Sequence, residues 1–315
     1  MNILSIANND PAGAAINFTN AINRYTNHRA RLITLDANYG NFQRDLHIPD
    51  LKDLSEVKYL LTNTDILHLH MIVDDDTMLG HLRIGDYVRD KIVVHHHHGE
   101  PQFRENPKQF EEKERELGRR AIVSTPDLLK LYPTATWIPN PIPIYDVNYL
   151  PYYHLNGVIM DKIVGHSPTR RELKNTDIFL TVVDELRKDG LAVRPIVIEN
   201  MTHSECLKLK RCCDIFFDHI QGYFGVSSLE ALSQGVPTIA GLDEWNTKCV
   251  REFTGADELP WIIARDKDEL ANAIKRLVSD SEERKKVGGF SRRWMEEYWT
   301  EKKITKKLIE FYERV

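Results

Sequence analysis

The sequence lacks the features that would place the protein in a membrane, in an oxidising compartment or on nucleic acid. No run approaches the roughly 20 apolar residues of a membrane span, and the start MNILSIANND is unlike a signal peptide. The four cysteines show no Cys-x-x-Cys spacing, which favours a reduced, cytoplasmic setting, with at most peripheral contact to the inner face of a membrane. The formal net charge of −5 is mild, so nucleic acid is not an expected partner.

What the sequence does contain is an alternation of short apolar runs with amphipathic segments over 315 residues, a length that suggests two domains. Hydrophobic residues make up 42% and charged residues 28%, as in ordinary globular proteins. The predicted strands are 2–7, 30–34, 65–69, 91–94, 120–124, 136–139, 161–165, 193–199, 214–217, 237–240 and 261–264. Such alternation predicts an α/β protein with parallel sheets covered on both faces.

The stretch 218–240 has the pattern of a ligand-binding loop. An apolar run, 215–217, enters a loop with Gly222 and Gly225, and a short helix is predicted to begin at Ser227 or Ser228 and to end at Gly235. The amides of a new helix favour an anion such as phosphate. The same residues allow a second interpretation, in which Ser227 caps the helix and Glu230 completes a capping box.

The segment GYFGVSSLEALSQGVPTIA, 222–240, resembles the donor-binding segment of retaining glycosyltransferases of family 4, which have the GT-B fold. The resemblance implies that Glu230 holds the ribose of a sugar nucleotide. The family usually carries a further glutamate at the position of Gly222, so Gln221, Tyr223 or the main chain would serve instead, or activity is altered. The donor-binding residues implied in this loop are Gly222, Tyr223, Phe224, Gly225, Val226, Ser227 and Glu230.

Basic residues gather in the turn before the helix predicted at 175–188. In isolation this turn is equally a solvated charged loop, but guanidinium and ammonium groups there suit a diphosphate. The family has an arginine and a lysine at this place, and Lys174 matches the lysine, with Asn175 in place of the usual glycine. Arg171 is preferred to Arg170 as the arginine. Glu199, at the end of the next strand, is a candidate for contact with the nucleobase.

Histidines follow the strands of the first half. Alternation along a strand would aim His96 and His98 one way and His95 and His97 the other, which disfavours a metal cluster and makes 95–97 core histidines. The His98-Gly99 pair resembles the family segment whose histidine contacts the donor sugar. The run DILHLH, 65–70, also resembles the family, with structural or acceptor-side histidines. Gly13, after the first strand, is either a phosphate-contacting glycine or an ordinary turn.

The resemblance implies two Rossmann-like domains that face a cleft. We expect an acceptor-binding domain at 1–150, a nucleotide-sugar-binding domain at 151–290, and a helical segment, 291–315, that packs back on the first domain. Pro139-Asn140-Pro141 stops regular structure, and the linker is predicted at 142–156.

The implied activity is transfer of a sugar from a nucleoside-diphosphate sugar to a hydroxyl of a carbohydrate or glycoconjugate acceptor, with retention of configuration. His98, Arg171, Lys174 and Glu230 are the implied catalytic residues, and no metal or cofactor is required. A donor phosphate oxygen can itself accept the proton of the acceptor hydroxyl. Two alternatives stay open: a non-catalytic nucleotide-sugar-binding module, motivated by Gly222, and a nucleotide-sugar epimerase or hydrolase.

Overall fold

The computed structural model describes residues 1–36, 39–152 and 161–314, and the chain divides into two compact units. The first unit is Met1–Pro141 with Glu301–Val315, and the second is Ile142–Thr300. The first division falls nine residues before the predicted domain boundary at 150, at the Pro-Asn-Pro stretch itself. Residues 142–149 belong to the second unit because Arg292 Nη1 donates to the main-chain oxygens of Ile144 and Tyr149. Of the predicted linker, 153–156 lie outside the described residues.

The first unit is built on a parallel sheet of seven strands in the order β3-β2-β1-β4-β7-β8-β9. Strand β1 is buried from Ile3 to Ala7, and all five residues of β4 are buried, as expected where helices or loops cover both faces of a sheet. The strands are β1 (Asn2–Ala7), β2 (Arg29–Thr34), β3 (Leu46–His47), β4 (Ile66–His70), the antiparallel pair β5 (Met78–Leu79) and β6 (Leu82–Arg83), β7 (Ile92–His97), β8 (Arg120–Val123) and β9 (Thr136–Trp137).

Four helices of the first unit lie between these strands. They are α1 (Ala14–Tyr25), α2 (Ser55–Asn63), α3 (Pro101–Glu105) and α4 (Pro107–Glu116). Helix α1 buries Ala15, Phe18 and Ile22, which form most of the face that its sequence periodicity predicts. Prolines stand at the start of α3 and of α4, where a missing amide hydrogen leaves no helical bond unmade.

The second unit has a parallel sheet of five strands in the order β11-β10-β12-β13-β14. Its core includes Val164, Phe179, Val182, Ile215 and Ile239. The strands are β10 (Lys162–His166), β11 (Val193–Val197), β12 (Ile215–Phe217), β13 (Thr238–Ala240) and β14 (Trp261–Ile263). The helices are α5 (Thr176–Lys188), α6 (His203–Lys210), α7 (Val226–Ser233), α8 (Glu244–Thr254), α9 (Lys267–Ser279) and α10 (Ser281–Tyr298).

The last helix of the described residues is α11 (Glu301–Tyr312), which belongs to the first unit and buries Ile304, Leu308 and Tyr312. The predicted C-terminal segment, 291–315, therefore begins inside α10. That helix begins at Ser281 because Asp280 Oδ1 accepts hydrogen bonds from the amides of Glu282 and Glu283. No helix in the described ranges is both long enough and apolar enough to cross a membrane.

Candidate functional site

The order of the second sheet creates a switch point between β10 and β12. The chain passes from β10 to β11 on one side and then to β12 on the other, so the loops that follow β10 and β12 diverge at the carboxyl edge of the sheet. Open α/β sheets bind their ligands at this point. The loop after β10 holds Arg171 and Lys174, and the loop after β12 is 218–225.

Side chains fix the shape of loop 218–225. Asp218 is 3% exposed, and its Oδ2 accepts the amide hydrogen of Gly225 at 2.6 Å. Asn175 Oδ1 accepts from the amide of Ile220 at 3.1 Å. Asn175 itself has φ 55°, in the left-handed region that asparagine tolerates better than most residues, which accounts for asparagine where the family has glycine. The loop is therefore tied to the start of α5 by a side-chain hydrogen bond.

Lys174 lies against this loop. Its Nζ is 3.8 Å from Asp218 Oδ1 and 5.8 Å from the centre of the Tyr223 ring. A Cβ at Gly225 would stand 3.2 Å from both Lys174 Nζ and Asp218 Oδ1, so only glycine leaves this contact relaxed. Burial alone would raise the pKa of Asp218, but His219, Lys174 and the Gly225 amide together hold it below its ordinary value. Lys174 thus lies beside a carboxylate whose ionised form is favoured.

Arg171 and Glu199 are bonded to each other. The Arg171 guanidinium donates to both carboxylate oxygens, with Nε to Oε2 at 3.0 Å. Both residues lie at the carboxyl edge of the sheet, after β10 and β11, and the hydrogen bonds from Arg171 lower the pKa of Glu199. Arg170 beside it is exposed. The arginine predicted for the diphosphate and the acid predicted for the nucleobase are therefore neighbours.

The helix that follows the loop begins earlier than predicted. Gly225 is its N-cap and α7 starts at Val226, so the cap at Ser227 was wrong. Glu230 completes no capping box, because its carboxylate points to other partners. The Oγ of Ser227 is buried without a hydrogen-bond partner among the described residues. Gly235 has φ 71° and ends the helix as predicted, with its amide and that of Val236 bonded back to Leu232 and Ala231.

Glu230 is 4% exposed and lies between two nitrogens that the sequence did not single out. Its Oε1 accepts from His203 Nε2 at 2.6 Å, and its Oε2 accepts from Lys210 Nζ. Burial alone would raise the pKa of Glu230, but Lys210 and His203 hold it well below the ordinary value. We call Glu230, His203 and Lys210 the Glu230 network. The signal for Lys210 was its place three residues after Leu207, on the buried face of α6.

Two aromatic residues of the loop differ in their surroundings. Phe224 is 2% exposed and packs on Trp261 and Trp299, with ring centres 4.9 and 5.9 Å away. Its side chain belongs to the core, so a donor contact of Phe224 would have to come from its main chain. Tyr223 instead donates its hydroxyl hydrogen to Gln221 Oε1 at 3.1 Å. Val226 is half-buried at the start of α7.

Gly222 occupies a backbone conformation that disfavours the family's glutamate. Its φ is +90°, and its carbonyl oxygen accepts from the amide of Asp243 at 2.7 Å. A Cβ there would stand 3.6–3.7 Å from the Asp243 side chain. A glutamate would therefore meet backbone strain and a like charge at once. The carboxylate beside this position belongs to Asp243, the N-cap of α8. The sequence analysis did not identify Asp243.

In the first unit, the four consecutive histidines separate as the strand alternation predicts. His95 and His97 lie on one side, bonded to Glu114 at 2.8 Å and Glu100 at 2.9 Å. His96 and His98 lie on the other, with ring centres 4.2 Å apart. The prediction against a metal cluster considered this strand alone. Strand β4 pairs His70 with His96, and one ring nitrogen from each of His68, His70 and His96 lies within 4.8 Å of the others.

Gly13, with φ 65°, is the N-cap of α1. The anion position in front of that helix is occupied, because the buried carboxylate of Asp10 accepts from the amides of Ala15 and Ile16 at 3.1 and 2.9 Å. A phosphate at Gly13 would have to displace this carboxylate. The structure therefore favours the ordinary turn at Gly13 over the phosphate contact.

No protein-family model and no curated protein sequence matches the chain. Solved structures do. HepE of Anabaena, in complex with UDP and glucose, has a TM-score of 0.67 at 15% identity, with 100% of both chains covered. An α-glucosyltransferase in complex with UDP and a 13-mer DNA has a TM-score of 0.68 at 10% identity, with 99% of each chain covered.

TarM of S. aureus has a TM-score of 0.58 at 16% identity. The match covers 78% of this chain but only 54% of TarM, so the chain spans about half of that protein's length. These structures establish the fold, which is the GT-B fold of glycosyltransferases. The α/β prediction and the predicted fold are confirmed.

Proposed function

We propose that the protein is a glycosyltransferase that moves a sugar from a nucleoside-diphosphate sugar to an acceptor hydroxyl, with retention of configuration, as in family 4. The observation that carries the proposal is the gathering of Arg171, Lys174 and loop 218–225 at the switch point between β10 and β12. The GT-B fold and the resemblance of 222–240 to a donor-binding segment support it.

Arg171 and Lys174 would bind the donor diphosphate. Like the Glu199 carboxylate, a diphosphate offers the Arg171 guanidinium two neighbouring oxygens, and it carries more negative charge. The diphosphate would therefore replace Glu199 as the partner of Arg171. Glu199 would then be free to accept a hydrogen bond from the nucleobase. Lys174, already beside Gly225, would supply the second cation. Both cations would act most strongly as charge grows on the leaving diphosphate, which is the condition for rate acceleration.

Glu230 would hold the ribose. A carboxylate kept ionised by Lys210 and His203 has acceptor positions left for two hydroxyl groups, and its neighbours fix its orientation before the donor arrives. The unpartnered Oγ of Ser227, three residues earlier in α7, would gain a hydrogen bond from the same ligand. His98 would position the transferred sugar, while a donor phosphate oxygen accepts the proton of the acceptor hydroxyl.

The second candidate is a module that binds nucleotide sugars without turnover. Gly222 favours it, because the strained φ of +90° and the neighbouring Asp243 leave no relaxed place for the family's glutamate. Donor binding is common to both candidates. Product formation separates them.

Calorimetric titration with UDP-, GDP-, ADP-, CMP- and dTDP-sugars tests the proposal. UDP-sugars come first, because HepE and the α-glucosyltransferase are similar structures that hold UDP. We expect one nucleotide to bind selectively, and Arg171→Gln and Lys174→Met to weaken it at least tenfold. Arg187→Gln, at an exposed position of α5, is the matched control, and Arg170→Gln decides between the two arginines.

An acceptor screen with the selected donor follows, with the anomeric configuration of the product read by NMR. Binding with no product from any acceptor would favour the non-catalytic module. An absence of binding across the whole panel would overturn both candidates.

A further inference from the structure

The side chains of His68, His70 and His96 come together inside the first unit, and the proposed glycosyl transfer uses none of them. They are 0%, 1% and 0% exposed. Strands β4 and β7 run parallel with His70 paired to His96, so residues 68 and 70 of one strand share a sheet face with residue 96 of the other. One ring nitrogen of each lies within 4.8 Å of the other two.

In His68 and His96, one ring nitrogen is held by a neighbouring hydroxyl group and the other faces the neighbouring histidine. Tyr312 Oη is 2.6 Å from His68 Nδ1, and Ser124 Oγ is 3.1 Å from His96 Nε2. The opposite nitrogens, His68 Nε2 and His96 Nδ1, face each other at 3.1 Å. Metal-binding histidines have this arrangement, in which the second ring nitrogen is held by a polar group that fixes the ring.

His70 adds an independent observation. Its Nδ1 is 2.9 Å from His98 Nε2, which orients the ring. Its Nε2 is buried without a hydrogen-bond partner among the described residues. Leaving a buried polar atom unpaired is unfavourable, and such atoms in native structures commonly mark the place of a water, an ion or a ligand.

The chemistry of the three rings selects the ligand. All three rings are buried, and a neutral imidazole offers a lone pair on one of its ring nitrogens. The set contains only imidazole nitrogens, which suit zinc and copper, whereas magnesium and calcium prefer oxygen. We propose that His68, His70 and His96 form a binding site for a transition-metal cation, with Zn²⁺ as its expected occupant.

The geometry requires a small adjustment. Zinc–nitrogen bonds of about 2.0–2.1 Å put the nitrogens of a tetrahedral site about 3.4 Å apart. The 3.1 Å between His68 Nε2 and His96 Nδ1 is close to that value, and the remaining separations, all within 4.8 Å, would close by small ring rotations. The bound ion would replace the His68–His96 hydrogen bond and link β4 to β7. This role is independent of nucleotide-sugar binding.

The test is zinc titration of the full chain after chelator treatment, by calorimetry against a competing chelator. We expect one Zn²⁺ per chain and at least tenfold weaker binding in His70→Gln and His96→Gln. His81→Gln, at an exposed position outside the cluster, is the matched histidine control. Cys212→Ser removes an exposed thiol that could bind zinc elsewhere. Neither control should change the affinity.

Cobalt substitution of the unaltered chain gives a readout that does not depend on the folding of variants. Tetrahedral Co²⁺ on nitrogen ligands absorbs in the visible range without the near-ultraviolet sulfur band that thiolate ligands add. Tyr312→Phe, which removes the group that holds His68, should weaken zinc binding about tenfold or more. Three results would overturn the site: no zinc binding tighter than about 10 μM, a sulfur band in the cobalt spectrum, or full affinity in a folded His96→Gln variant.

Discussion

The first and second units both bury ionisable side chains, and they do so by different means. In the first, His68, His70, His96 and His98, here called the histidine cluster, are neutral and hydrogen-bonded to one another, to Ser124 and to Tyr312. In the second, the Glu230 network keeps a carboxylate and an ammonium charged and paired. A buried histidine becomes neutral near pH 7 after only a modest shift of its pKa. Glutamate and lysine have ordinary pKa values far below and far above neutral, so a buried pair of them stays charged near pH 7.

The two units are vulnerable to different changes. A neutral cluster is stable only while its rings stay unprotonated, so acid acts on it first. A buried ion pair tolerates a change of pH near neutrality, but it does not tolerate the loss of one partner, because the remaining charge has no compensation.

Acidification of the metal-free protein should destabilise the first unit. Burial lowers the pKa of His68 to about 3 and of His97 and His98 to about 4, and it also lowers those of His70 and His96 well below their ordinary value. The folded state therefore binds fewer protons than the unfolded chain, whose histidines have pKa values near 6.5. Stability is fully present above pH ~6.5 and lost as the pH falls towards 4, by about 2 kcal/mol per ring between pH 7 and 5.

Urea unfolding at pH 7 and pH 5 measures the loss. At His97, Glu100 opposes the effect of burial on the pKa, which nevertheless falls to about 4. Hydrogen exchange should locate the opening in β4 and β7 before β12 and β13. Equal stability at the two pH values would mean that the rings are not held neutral in the folded state.

Lys210→Met should cost about 3–5 kcal/mol of unfolding free energy, because it leaves the buried Glu230 carboxylate with His203 as its remaining partner. Combining it with Glu230→Leu should recover most of the loss, since an apolar pair of similar volume needs no compensation. A double-mutant cycle in urea measures both. A double variant no more stable than the single one would show that the charges are not what the site requires. For the same reason, Glu230→Ala is a poor test of donor binding, because it would remove the carboxylate that pairs with the buried Lys210 ammonium.

Tyr312→Phe should cost about 1–2 kcal/mol, because it removes the hydroxyl that lies 2.6 Å from His68 Nδ1 and leaves that nitrogen unpaired. Tyr59→Phe, at a residue 65% exposed, is the matched control and should be silent. Thermal unfolding of the two variants side by side makes the measurement. Equal melting temperatures would show that the Tyr312 hydroxyl does not stabilise the histidine cluster.

Arg171→Gln should change stability by no more than about 0.5 kcal/mol, because its ion pair with Glu199 is exposed to water. Donor affinity should fall in the same variant, which separates a binding arginine from a structural one. A large loss of stability would show that the Arg171–Glu199 pair supports the fold. The contrast with Lys210 isolates burial as the cause of the difference.

Local patterns predicted much of the fold. Strand β12 coincides with the apolar run 215–217 and is one residue shorter than the predicted strand 214–217, and Gly235 ends α7, because apolar runs and glycines act on their immediate surroundings. The start of α7 was missed, since Gly225 takes the cap position once Asp218 binds its amide. That bond is set by tertiary structure and leaves no mark on the Ser-x-x-Glu pattern.

The site residues also divide into those that local sequence patterns predict and those that only tertiary structure brings together. Lys174 and the loop could be placed from glycine spacing and basic residues, and the structure brings them together. The pairing of His203 and Lys210 with Glu230 could not be predicted, because α6 and α7 meet only in the folded unit. The histidine cluster was also missed, since it depends on the register of β4 against β7, and register is a property of strand pairing.

Helix α11 gives the first unit a particular order of assembly during synthesis. Residues 142–300, the entire second unit, leave the ribosome between β9 and α11. At about 5–20 residues per second this interval is roughly ten to thirty seconds. Throughout it, the surface later covered by Ile304, Leu308 and Tyr312 is without α11. The second unit therefore has all of its residues before the first, whose apolar surface waits for the last helix.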